Sequence, residues 1–224
     1  MPFRPAKKCR SETLPSVGYA PAANTHRNAY CGRNYEYFSE DAFLASQMMA
    51  PEVAAIQDKG VYVFMKHFAL NDQETHRGGV MTWANEQTIQ EAYLKAYEYS
   101  VTESHAKGAM TIMNRIGALW GGAHHGLLTD VLRGEWGFDG IVITDFSSNS
   151  NYTTQSSGLA AGADLWDGFS APDIAGMDKD PYICQLLRQA VHRILYVQVN
   201  SKKHEGLASA KSFVLFLVSG KSHF

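Results

Sequence analysis

The apolar positions of this 224-residue chain form short unbroken runs that alternate with longer stripes of helical period. Ile141, Val142 and Ile143 do not alternate with polar residues, so they predict a strand covered on both faces, as in parallel α/β sheets. A Gly-rich turn (GFDG) leads into that run and Asp145 stands at its end. Similar runs predict strands over 17–23, 61–65, 109–113 and 163–166, and three of them close on polar residues: Arg27, Lys66 with His67, and Asn114 with Arg115.

Helical stripes lie between the runs. One runs from an N-cap at Ser39, with Glu40 and Asp41 in the first turn, to Lys59, and Gly60 stops it. Phe43, Leu44, Met48, Val53 and Ile56 define its apolar side, and Pro51 is expected to kink or split it. A polar loop over 69–84 leads to Asn85, the N-cap of a longer helix carrying Ile89, Ala92, Tyr93, Ala96, Tyr97 and Val101, which Gly108 is expected to close. Further helices are predicted over 125–136, 155–161 and 183–199, and IGALWGG reads as a Gly-rich loop. Strands joined through helices are parallel βα units. About five are present, so the pattern predicts an α/β fold, a parallel TIM-type barrel lacking about three of its eight units. The expected organisation is a disordered lead-in over 1–15, a partial barrel over 16–200 and an unassigned tail over 201–224.

Bulk properties narrow the function classes. With 45% hydrophobic and 19% charged residues and a net charge of −2, nothing points to nucleic acid or to an anionic membrane surface. Cys9, Cys31 and Cys184 have no CxxC spacing, which argues against a zinc knuckle or a disulfide framework. The basic first dozen residues lack an apolar core and FVLFLV near the end is far too short to span a bilayer, so a cytoplasmic location is favoured.

Several residues could carry chemistry. Asp145 is either a cap or loop-ordering acceptor, or a nucleophile held ionised by cations such as Lys66 and Arg33. Lys66 and His67 adjoin, so one could face a site and the other pack outward; together they offer donors and an acceptor suited to a sugar. Arg33 lies among Tyr35, Tyr37 and Phe38, and either pairs with Glu36, Glu40 or Asp41 or forks onto vicinal hydroxyls or a carboxylate. His124 and His125 have no third ligand at suitable spacing, so no metal site is expected, and no cofactor. Asn151-Tyr-Thr153 fits a glycosylation sequon without a secretory context.

Four strings then occur in a telling order: HRNAYCGRNYEYFSED (26–41), KHFALNDQE (66–74), LLTDVLRGEWGFDGIVITDF (127–146) and AGADLW (161–166). Together they resemble the catalytic barrel domain of glycoside hydrolase family 3, the β-glucosidase group, over about 20–200. The resemblance implies a retaining β-glycosidase acting on a terminal glucose-like unit of a β-glucoside or short β-linked oligosaccharide. It places Asp145 at the nucleophile's position, with Arg33, Lys66, His67 and Met110 at the sugar. ALNDQE after Phe68 replaces the KHFPGHG-type loop of the N-acetylglucosamine branches, which favours the β-glucosidase/β-xylosidase branch. The sequence also departs from the family. The early strands have no counterpart before Val17, and Met113 stands where many members carry an aromatic residue. The acid/base is expected from a separate sandwich domain, which in some members precedes the barrel, as TWANEQTIQEAYLKAYE suggests here. The alternative function is a non-catalytic carbohydrate-binding or assembly subunit.

Overall fold

The computed structural model describes residues 17–146, 152–168 and 176–200. The expected lead-in, the tail, Cys9 and the sequon asparagine lie outside the described residues.

Parallel strands form the centre. β1 (Val17–Gly18) pairs with β2 (Tyr62–Val63), and the ladder continues as Ala22 bridges Lys66 in β3 (Met65–Phe68). Beyond a side strand β4 (Met81–Thr82), β3 pairs with β5 (Gly108–Thr111). The chain then makes a hairpin of β6 (Arg115–Ile116) and β7 (Leu119–Trp120), and β5 pairs with β8 (Ile141–Ile143). Ile143 finally bridges Leu165, the one paired residue of the strand expected over 163–166. Five extended segments thus lie side by side in chain order, all parallel. Among the described residues no pairing joins the first to the last, so the sheet does not close.

Every crossover carries a helix, and all of them pack on one face. α1 (Ala42–Asp58) contributes Ala45, Met49, Val53 and Ile56 to the main core. α2 (Glu86–Thr88), a π-helical stretch Ile89–Leu94 and α3 (Lys95–Thr102) form one helical rod that adds Tyr93, Ala96, Tyr97 and Val101. A second π-helical segment, Gly126–Glu135, adds Leu127, Leu128 and Leu132, and α4 (Gln155–Ala161) adds Ala161. Among the described residues only α5 (Pro181–Val199) reaches the other face, where Ile194 and Val197 meet Phe64, Met110, Ile141 and Ile143. This explains the Ile-Val-Ile run. Successive side chains point to opposite faces, Val142 into the helical core and its neighbours toward α5.

Several expectations are corrected. Asp41, not Ser39, caps α1: its Oδ1 accepts the Leu44 amide at 2.8 Å, while Ser39 Oγ accepts the Asp41 amide. α1 runs through Pro51 without interruption, and its core side is Ala45, Ser46, Met49, Ala50, Val53 and Ile56, leaving Phe43, Leu44 and Met48 exposed. Small residues win because α1 packs closely on α3, where Ala96 is equally buried. The loop over 69–84 and IGALWGG together supply the side sheet β4-β6-β7.

Gly108 does not end a helix; it opens β5. A Cβ there would lie 2.5 Å from the Val63 carbonyl oxygen and 2.6 Å from the Phe64 ring. Gly108→Ala is therefore expected to destabilise the fold by about 1–3 kcal/mol, read as a lower urea midpoint at unchanged slope.

Candidate active site

Beyond the carboxyl ends of β3 and β8, charged side chains converge. Asp145 is 8% exposed, its Oδ1 accepting the Phe146 amide at 2.7 Å. Its Oδ2 is buried and has no hydrogen-bond partner among the described residues. Burial pushes this carboxyl above its ordinary value; the Phe146 amide and the guanidiniums of Arg77 and Arg33 pull it back, and Glu74 opposes them.

Arg33 organises the cluster. Its Nε lies 3.0 Å from Glu74 Oε1, while Nη1 donates to Glu36 Oε1 at 2.8 Å and to His67 Nε2 at 3.1 Å. Burial lowers its proton affinity, but Glu36 and Glu74 outweigh burial and the net shift is upward. Lys66 Nζ reaches the other Glu36 oxygen at 3.2 Å, and Arg77 Nη1 the other Glu74 oxygen at 2.9 Å. The two glutamates thus hold three cations, of which Arg77 and Arg33 act on the Asp145 carboxylate. Lys66 turns to Glu36; the second cation acting on Asp145 is Arg77.

His67 is 1% exposed and tightly held. Its backbone amide donates to Asn24 Oδ1, and its carbonyl accepts from Asn24 Nδ2 and the Tyr97 hydroxyl. A guanidinium can only donate, so Arg33 fixes Nε2 as an acceptor and Nδ1 as the protonated nitrogen, facing the Tyr37 hydroxyl at 3.3 Å. Although Nε2 lies 3.9 Å from Asp145 Oδ2, it has no proton to give, and the two do not form an ion pair. Burial first, then Lys66, Arg33 and Arg77, lower the imidazole's pKa to about 2. An unfolded chain takes up this proton near 6.5 while the native state refuses it, so stability rises with pH across that interval. Unfolding free energy is therefore expected to fall from pH 6.5 toward pH 2. Denaturant titrations of His67→Gln should show a shallower decline than wild type.

Both Lys66 and His67 face this cluster, so neither packs outward. Arg33 makes the expected Glu36 contact, but within the site. Met110 is paired with Ile143 and lies below the cluster on the same face, packed with Phe64, Ile141 and Ile194 rather than among the charged groups. His124 accepts the Leu127 amide at the start of a helix, and His125 lies 3.3 Å from Asp130.

The sequence gives no individual role to Glu74, Arg77 or Asn71, and marks Asn114 only as a polar strand end. Asn114, fully buried, accepts from the Asp72 and Gln73 amides and donates to the Gln73 and Arg77 carbonyls, pinning the loop that carries Glu74 and Arg77. Asn71 Nδ2 donates to the Tyr37 hydroxyl and to Glu74, leaving its own buried Oδ1 without a partner among the described residues. Asp72 anchors the same loop through Arg27, Thr82 and Tyr93. The available signal was the string KHFALNDQETHR, with seven polar or charged residues in a row after a buried strand.

Residues 12–165 match the glycosyl hydrolase family 3 N terminal domain. The chain belongs to glycosyl hydrolase family 3. Among family members, it is 35% identical to the thermostable beta-glucosidase B of Acetivibrio thermocellus over 196 residues, covering 85% of this chain and 25% of that protein. It is 42% identical to a beta-glucosidase of Ruminococcus albus over 131 residues, 58% of this chain and 14% of that one. Its fold superposes on beta-glucosidase 3B of Thermotoga neapolitana, solved in complex with glucose, with a TM-score of 0.73 and 32% identity over 92% of this chain and 29% of that one. The chain thus spans between a seventh and a third of these relatives' lengths.

Proposed function

We propose that this family 3 domain hydrolyses terminal β-linked glucose-like residues with retention of configuration, Asp145 acting as nucleophile. The observation that carries this reading is a buried carboxylate oxygen, Asp145 Oδ2, left without a hydrogen bond among the described residues at a strand end where His67 lies 3.9 Å away and the Arg77 and Arg33 guanidiniums act on it. An unpaired buried acceptor is costly, and natural proteins retain one where a ligand or a reaction uses it. A sugar bound over the cluster would meet donors in Lys66 and the guanidiniums and an acceptor in Asn71 Oδ1. Arg33 and Arg77 favour the ionised form that attack requires.

In this reading the five parallel segments are an arc of a (β/α) barrel. Two features support it: their order follows the sequence, and the four crossover helices share one face, a winding in which strand ends converge on one site. Attack by Asp145 on the anomeric carbon forms a glycosyl ester, and water releases the sugar in a second displacement. In family 3 the acid that protonates the leaving oxygen is expected from a sandwich domain, in cis or in trans. The substrate class follows from the relatives, which are β-glucosidases, one of them holding glucose.

The test uses 2,4-dinitrophenyl 2-deoxy-2-fluoro-β-glucoside, whose leaving group needs no protonation. A burst of dinitrophenol with one sugar esterified to Asp145, located by peptide mass spectrometry, is the expected result. A folded, monodisperse sample that forms no adduct would falsify the enzymatic reading and leave a carbohydrate-binding role.

A further inference from the structure

We infer that Glu74 is a positioning residue of this site: its carboxylate grips Arg33 and Arg77 together and keeps both guanidiniums from closing on Asp145. The inference rests on the nucleophile assignment above and explains how the attacking oxygen stays bare.

Arg77 and Arg33 are the side chains that most favour the ionised form of Asp145, yet neither donates to its Oδ2. A carboxylate oxygen beside guanidiniums is ordinarily taken by them, because charge-assisted bonds are among the strongest a protein makes. Here both guanidiniums are already engaged. Glu74 Oε1 lies 3.0 Å from Arg33 Nε and accepts from Asn71 Nδ2 at 3.2 Å, and Oε2 accepts from Arg77 Nη1 at 2.9 Å. Arg33 has a second carboxylate in Glu36; among the described residues Arg77 is ion-paired with Glu74 alone.

The backbone fixes where that carboxylate stands. The Glu74 amide donates to the Cys31 carbonyl at 3.0 Å and the Arg77 amide to the Glu74 carbonyl at 3.2 Å, so both residues are tied to the turn that carries Arg33. Gly32 sits in that turn at φ +92°, and a Cβ there would stand 3.2 Å from both Cβ and Cγ of Glu74. The left-handed turn and the missing Cβ together let the Glu74 stem lie against the loop.

Loss of this carboxylate acts on Asp145 in one direction. Glu74 is a like charge that opposes ionisation of Asp145, and without it that opposition ends. Arg77 is then left without a carboxylate, and the unpaired Asp145 Oδ2 is open to it. Both changes let Asp145 ionise at lower pH, and an ion-paired oxygen is a poorer nucleophile. The other charged groups nearby do not counter this. His67, 3.9 Å away, stays neutral; Lys66 is held by Glu36; and Asp167 is a like charge present in wild type and variant alike.

The readout is the second-order rate of adduct formation on Asp145 with the dinitrophenyl fluoroglucoside, measured across pH. Its leaving group needs no protonation, so the acid limb reports ionisation of the nucleophile in the free enzyme. In Glu74→Gln one acceptor oxygen cannot serve both guanidiniums. The limb should move to lower pH by about 1 unit or more, the scale on which a contacting cation lowers a carboxyl. The plateau rate should fall by roughly 10²-fold, the cost of a site displaced by about 1 Å. Glu74→Ala, which sets no amide donor against the guanidiniums, serves if the glutamine variant does not fold. A limb that stays at the wild-type pH or moves upward overturns the role of Glu74, whatever the plateau does, because a merely structural loss slows the reaction without making the nucleophile more acidic. Failure of wild type itself to form an adduct overturns both assignments, and is seen before any variant is made.

Discussion

Asp145→Ala is expected to abolish the glycosyl-enzyme adduct and to lower hydrolysis of dinitrophenyl β-glucoside by on the order of 10⁴–10⁶-fold, the range in which single catalytic residues of a hydrolase cost turnover. The size follows from what remains. Arg33, Lys66 and His67 would still hold a sugar, but no atom within the pocket could form the ester, and water would have to attack an unassisted anomeric carbon. Azide should partly restore turnover by entering the space of the lost carboxyl. Its product should be α-glucosyl azide, inverted relative to the substrate. The fold should tolerate the change. Only the Phe146 amide loses a partner, at about 1 kcal/mol, and a partly unpaired buried carboxylate leaves with it. Lost chemistry with an intact urea midpoint would mark Asp145 as a functional residue; a collapsed midpoint would return it to the role of a structural cap.

The sequence made some of this legible for local reasons. A three-residue apolar run between a Gly-rich turn and an aspartate can only be a covered strand with a carboxylate at its end, and this is how β8 and Asp145 stand. Asn85 caps its helix as expected because its side chain acts on an amide three residues away, Thr88, at 2.8 Å. What escaped the reading depends on distance along the chain. Glu74 is a loop residue until Asn114, 40 positions on, pins that loop and brings it onto Arg33. The packing face of α1 was misread because alanine and serine, not the larger Phe43 and Met48, meet the neighbouring helix. Met110 pairs with Ile143 and packs with Phe64, Ile141 and Ile194, neighbours that strand register supplies and periodicity cannot. Strand identity is local information. Strand neighbours are not.

That distinction carries over to stability, where Asp164→Ala is expected to cost about 3–5 kcal/mol, the range for removing one partner of a buried ion pair. Asp164 has no exposed side-chain surface, and burial pushes its carboxyl up while Arg133 and Arg193 draw it back. Its Oδ2 accepts from Arg133 Nη2 and the Val142 amide, each at 2.8 Å, and its Oδ1 from Arg193 Nε at 2.7 Å. One carboxylate therefore ties β8, the Gly126–Glu135 segment and α5 together at the edge of the sheet. Truncation would leave the Arg133 guanidinium in a dry site with, among the described residues, the carbonyls of Gly140 and Gly162 as acceptors. A loss of this size is a large fraction of the ~5–15 kcal/mol that holds a typical domain folded. Arg193→Ala should cost less, because Arg133 keeps its counter-charge and the more exposed partner is the one removed. Urea titrations of the two variants should rank them in that order, and a double variant should fall short of the sum, since both act on one carboxylate. Equal midpoints for Asp164→Ala and wild type would show that the carboxylate's own desolvation cancels what it ties together, and that the α5 contact rests on Ile194 and Val197 alone.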